Sequence, residues 1–158
     1  MSGFTGLRFW GVAAIVLTAG PWLAAARADD EKIEVTVLAI LASDKSTVID
    51  ERLKDVAKEI QKKEPALTGF AVERVTKKSI RLGDKDTFKL VDEKEVLVAL
   101  SQRDPMTGRV TVTIKPPTVG EITYACCCGK FFPVITRYVT KENERLIVAV
   151  MVKPCHKK

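Results

Sequence analysis

The chain has 158 residues, a formal net charge of +6 and a hydrophobic content of 46%. That length suits one domain, and no internal repeat, low-complexity tract or long linker divides it. Cations and acids interleave through residues 50–64, 85–95 and 141–145, a mixture that makes solvated faces.

The N-terminus carries an export signal. Arg8 gives a positive start, Phe9–Ala19 an apolar run, Gly20-Pro21 a break, and Ala26-Arg27-Ala28 the small residues that a signal peptidase reads. Residues 1–28 are expected to be removed, leaving a single β-rich domain over 29–158 in the periplasm or outside the cell. The competing reading is a retained anchor, since Phe9–Ala26 approaches the shortest membrane span. The Gly-Pro break and the Ala-x-Ala site favour cleavage. The segment has no cysteine to carry a lipid. Removing it takes away Trp10 and Trp22, the only tryptophans, and lowers the charge from +6 to +4. Export also argues against nucleic acid as a partner.

Ile33, Val35 and Val37 alternate with polar residues before the run turns fully apolar to Ala42, which reads as a strand with one end buried on both faces. Asp50 is placed to cap a helix over Glu51–Lys62, with Leu53, Val56, Ala57 and Ile60 on one face and Pro65 as the stop. Beyond Gly69 the pattern is β. Residues 70–82 form one long strand or two short ones, and 88–91 a short strand before the turn Asp92-Glu93-Lys94. Glu95–Gln102 and Arg109–Lys115 form a hairpin around Asp104–Gly108. Pro116-Pro117 is a stiff connector to a second β unit, Glu121–Cys128, Phe131–Thr140 and Arg145–Lys153. Gly129-Lys130 reads as a two-residue hairpin turn in that unit, and Pro133 as a bulge or a break in pairing. The fold class is α+β, mostly β: one amphipathic helix on an antiparallel or mixed sheet, open or closing into a partial barrel.

The order strand, helix, long β region, with Asp50-Glu-Arg-Leu-Lys opening the helix and Gly129-Lys-Phe-Phe in a late hairpin, resembles a group of small secreted bacterial proteins without assigned function. The resemblance spans most of residues 33–153. It implies a fold and carries over no catalytic residue.

Cys126, Cys127, Cys128 and Cys155 are the unusual chemistry. An even number of cysteines in an exported chain points to a disulfide framework. Pairing Thr140 with Arg145 and continuing the register sets Lys130 level with Cys155. A bridge from Cys155 to Cys128, or failing that to Cys126, would then staple the C-terminus and stabilise the fold by roughly 3–4 kcal/mol. The alternative is a thiol-based metal or redox site, with Cys126, Cys128, Cys155 and His156 offering soft ligands to copper or zinc. The separated Cys-x-x-Cys pairs of zinc ribbons are missing.

Catalysis is not expected. His156 is the only histidine, and it sits in a lysine-rich tail where no oxyanion site can be preorganised. The acid pairs Asp84/Asp86 and Asp92/Glu93 read as turn residues, and Ser43–Thr47 lacks the glycines of a phosphate loop. The expected function is a non-enzymatic cell-envelope module without a cofactor, contacting another envelope protein or an anionic polymer. Its candidate surfaces are the alternating Thr111, Thr113 and Lys115, and Arg137 with Tyr138.

Overall fold

The computed structural model describes residues 31–126 and 129–153. Residues 1–30, which hold the expected signal peptide, Cys127, Cys128 and residues 154–158 lie outside them. Two four-stranded antiparallel sheets pack face to face, and a helix covers the far side of one, giving an α+β, mostly β fold in three layers. Both sheets are open, so the strands do not close into a barrel, and among the described residues the one parallel contact is an isolated bridge from Ile49 to Phe70.

The first sheet has the order β2 (Gly69–Arg81), β1 (Lys32–Ser43), β8 (Arg145–Lys153), β7 (Phe132–Val139). Its two central strands have a core on each face, which explains their near-continuous apolar runs. Ile33, Val35 and Val37 of β1 and Val148, Val150 and Val152 of β8 point into the space between the sheets. Leu38, Ile40 and Ala42 with Ile147 and Ala149 point the other way, under the helix. β2 is one long strand, and Glu73 is the extra residue of a bulge, because Ala39 pairs with Arg74 and Ile40 with Val72.

The helix begins with a 3-10 turn over Glu51–Leu53 and continues as α1 over Lys54–Lys63. Asp50 caps it as expected, accepting from Arg52 N at 3.0 Å. The first turn is tighter than an α-helix because the Leu53 amide bonds the Asp50 carbonyl at 2.8 Å and draws Leu53 fully inside. Leu53, Val56, Ala57 and Ile60 seal the outer core, and each large side chain so buried contributes about 1.5–3 kcal/mol.

The second sheet is a meander of β3 (Lys85–Lys89), β4 (Glu95–Arg103), β5 (Val110–Lys115) and β6 (Ile122–Ala125). Val96, Val98, Leu100, Val110, Val112 and Ile114 face the other sheet. β3 lies three residues earlier than expected at its start. Leu90 and Val91 are buried but already enter the turn, where Asp92 and Glu93 take φ of 48° and 60° and the Lys94 amide bonds Val91 O at 2.8 Å.

The last third departs most from expectation. β6 pairs with β5, not with β7, so Pro116-Pro117 opens a hairpin within the second sheet. The chain changes sheets between the end of β6 at Ala125 and the start of β7 at Phe132, and Gly129-Lys130 is not a hairpin turn. Pro133 stays in register with Ala149; it is tolerated because β7 is an edge strand with no neighbour to receive its missing N–H. The irregularity in β7 lies instead between Ile135 and Val139.

Candidate functional site: an aromatic groove beside the cysteine segment

A groove of about 880 Å³ runs between one flank of α1 and the start of β7, with β6 at its end. That volume lies within the range typical of ligand sites. Its floor is apolar: Phe131, Phe132, Pro133 and Ile135 along β7, and Val56 and Ile60 at the base of the helix. The rings of Tyr124 and Phe132 stack with centroids 4.0 Å apart and planes 16° from parallel, which ties the end of β6 to β7 across the two sheets. The Tyr124 hydroxyl is buried with no hydrogen-bond partner among the described residues. Burial pushes its pKa well above the ordinary phenol value, and the neighbouring Cys126 adds to the shift, so the group stays a neutral donor.

Charge lines the rim. Arg52 is held by Asp50 through contacts of 3.0 and 2.7 Å, and Glu59 by Lys62 at 2.6 Å. Among the described residues Lys58, Lys63 and Lys130 have no ion pair, with Asp55 the one acid left to offset them. The rim is therefore cationic over an aromatic floor.

Of the sequence-predicted thiols, Cys126 lies among the described residues. It is 3% exposed, packs in the core between the sheets and donates its amide to Val110 O at 2.9 Å. Cys127, Cys128, Cys155 and His156 fall outside the described residues, and among those described no cluster of metal-ligating side chains forms. The backbone brings the two cysteine-bearing segments together, because the Gly129 amide bonds Val152 O at 3.2 Å. The register differs from the expected one. Phe132 pairs with Val150 and Val139 with Arg145, so the β7 irregularity shifts the strand, and Lys130 no longer falls level with Cys155.

The two predicted surfaces lie on different parts of the molecule. Thr111, Thr113 and Lys115 stand on the outer face of the second sheet, where the Thr113 hydroxyl meets that of Thr123 at 2.9 Å. Arg137 and Tyr138 help latch the first sheet to turns of the second. The Arg137 amide donates to Thr118 Oγ1 at 2.9 Å, and the Tyr138 hydroxyl donates to Asp92 Oδ2 at 2.7 Å beneath the Lys94 ammonium. That hydrogen bond holds the Tyr138 phenol above its usual pKa. The groove was not foreseen, since Val56 and Ile60 read only as core. The available signal was Phe131-Phe132-Pro133, a bulky apolar run beginning an edge strand beside three cysteines.

The arrangement defines a helix-covered, two-sheet antiparallel sandwich with one aromatic groove at the sheet crossover. Comparison with protein-family models, curated proteins and solved structures returned no match.

Proposed function

We propose that this chain is a non-enzymatic, exported binding or structural module of the cell envelope, with the groove between α1 and β7 as its ligand site. The observation that carries the reading is the pairing of an aromatic floor with unpaired cations, Lys58, Lys63 and Lys130, on its rim. Such a site suits an anionic partner with apolar or ring surfaces. In this reading a disulfide from Cys155 to the Cys126–Cys128 segment, with Cys128 the preferred partner, staples the chain end beside the groove. The Gly129–Val152 hydrogen bond supports it by bringing the two segments to one place.

The same proximity supports a second reading, in which the thiols, with His156, hold copper or zinc or act in redox chemistry. Intact mass of the exported protein, native and denatured, with and without reductant after thiol alkylation, separates the two. A chain starting at Asp29 with two or four thiols oxidised and no metal is expected. Four reduced thiols with metal retained natively would overturn the staple in favour of the metal site.

A further inference from the structure

From the strand directions and the charges at the two ends of the sandwich, we infer a second interaction surface: the end that carries the cysteine segment docks on an anionic lipid bilayer. The inference rests on the reading of the chain as exported.

The topology decides which residues share an end. β1 starts there, as do β3, β5 and β7, and β2, β4, β6 and β8 finish there. Lys32, Arg81, Lys85, Arg103, Arg109, Lys130 and Lys153 occupy these strand ends and connections, against the acids Glu31, Asp84 and Asp104. Arg103 lies 2.8 Å from Glu31, off the hydrogen-bond direction, so one of those acids is already engaged. Lys85, Arg109, Lys130 and Lys153 are exposed and have no ion pair among the described residues. Counted over the same strand ends and connections, the opposite end leans the other way, with Asp44, Asp50, Glu64, Asp92, Glu93, Glu95, Glu121, Glu142 and Glu144 against Lys45, Lys89, Lys94, Lys115, Lys141 and Arg145. The molecule is a charge dipole along its strands.

An apolar tip accompanies the charge. Met106 is 88% exposed at the turn between β4 and β5. The turn is built rather than loose: Asp104 Oδ1 accepts from Met106 N at 2.8 Å, Gly108 N bonds Asp104 O at 2.7 Å, and Gly108 takes φ of +70°. Hydrogen bonds from the Met106 amide and from Thr107 hold the Asp104 carboxyl below the usual range, so it stays ionised and ties down the turn, while Met106 stands exposed in the segment between Arg103 and Arg109. A single exposed methionine is ordinary on a surface. Beside the exposed Arg109 of the same loop it fits the acyl boundary below anionic headgroups.

An acidic protein or soluble polyanion could exploit the charge, but neither accounts for the exposed apolar tip.

The test is co-sedimentation of the exported protein with phosphatidylcholine vesicles, with and without phosphatidylglycerol, at low and high salt. Binding to the anionic vesicles alone, weakened by salt, is expected. A cation at such a surface is worth roughly fivefold in partitioning, so R109Q/K130Q should bind about 25-fold more weakly. The opposite-end control K89Q/K141Q should bind as the parent does, and Met106→Ser should weaken binding without removing its salt dependence. Equal binding to neutral vesicles, no binding to anionic ones, or equal losses in the two charge variants would overturn the surface. Vesicle binding by a chain whose mass shows no processing would keep the surface and remove the exported setting. Processing without vesicle binding would remove the surface alone.

Discussion

Gly69→Ala is the sharpest test of how the helix is seated on the first sheet. Gly69 opens β2, and its place is crowded by backbone rather than by flexible side chains. A Cβ there would stand 2.6 Å from Ser46 Cβ, 2.8 Å from Ser46 O and 3.0 Å from Ser46 C. Those atoms cannot withdraw freely. Thr68 Oγ1 donates to Ser46 O at 2.5 Å, Thr68 N bonds Ser43 O at 3.0 Å and Phe70 N bonds Val48 O at 2.9 Å. The added methyl must displace the segment that leads from β1 to Asp50 and the helix cap. Overpacking of this kind costs about 1–3 kcal/mol. At roughly 4 °C per kcal/mol for a domain of this size, the midpoint should fall by about 4–12 °C. Urea and thermal unfolding measure both quantities. The double variant with Ser46→Gly removes only the nearest contact, so a cycle of the two substitutions should recover part of the loss and not all of it. A Gly69→Ala protein within about 0.5 kcal/mol of the parent would refute the close approach, because that is the scatter of neutral surface changes. Full recovery in the double variant would show that the backbone contacts carry no cost.

Ile60→Ala should cost about 2–5 kcal/mol in urea unfolding, since Ile60 is 1% exposed between α1 and the sheet; a loss below 1 kcal/mol would mean that the helix does not seal this core. Asp50 should titrate at about 2, below its ordinary 3.8, chiefly because it accepts hydrogen bonds from the Arg52 guanidinium and then from the Arg52 amide. Its pKa is depressed by folding, so its contribution is complete above the unfolded value and disappears as pH falls through about 2. Stability should therefore rise with pH between these values, and a carboxyl resonance titrating near 4 would remove the cap from the account.

The sequence made the layered β character legible because periodicity reports burial directly. The alternation of Val110, Val112 and Ile114 with Thr111 and Thr113 marks a sheet with one wet face, and the structure buries the first set and leaves the second on the outside. The apolar end of β1 signalled two buried faces, and the layers on either side of it supply them. Connectivity was not legible in the same way. Pattern and turn chemistry make Gly129-Lys130 a good hairpin, and nothing local reveals that the strands on either side belong to different sheets. What decides it is tertiary: β6 completes the meander through Val112–Tyr124 and Thr113–Thr123, while β7 finds β8. The register error at Lys130 has a related origin, since the irregularity between Ile135 and Val139 leaves no trace in hydrophobic period. The groove was hidden for a third reason. A side chain such as Ile60 can be core on one side and cleft floor on the other, and a helical wheel cannot separate the two.

The crossover between β6 and β7 ties these features together physically. A chain that leaves one sheet for another gives up the ladder on both sides for several residues, so its backbone groups need other partners. Among the described residues two bonds hold its ends: Cys126 N to Val110 O on the sheet it leaves, and Gly129 N to Val152 O on the sheet it joins. Side-chain packing holds its flanks, through the Tyr124–Phe132 stack and the burial of Cys126. A covalent link in the proposed place would restrain this crossover further. It would also fix the position of Phe131 and Phe132, which form the groove floor. In the proposed reading the cysteines and the groove would be two parts of one device, a crossover held still enough to present an aromatic surface at the basic end of the molecule.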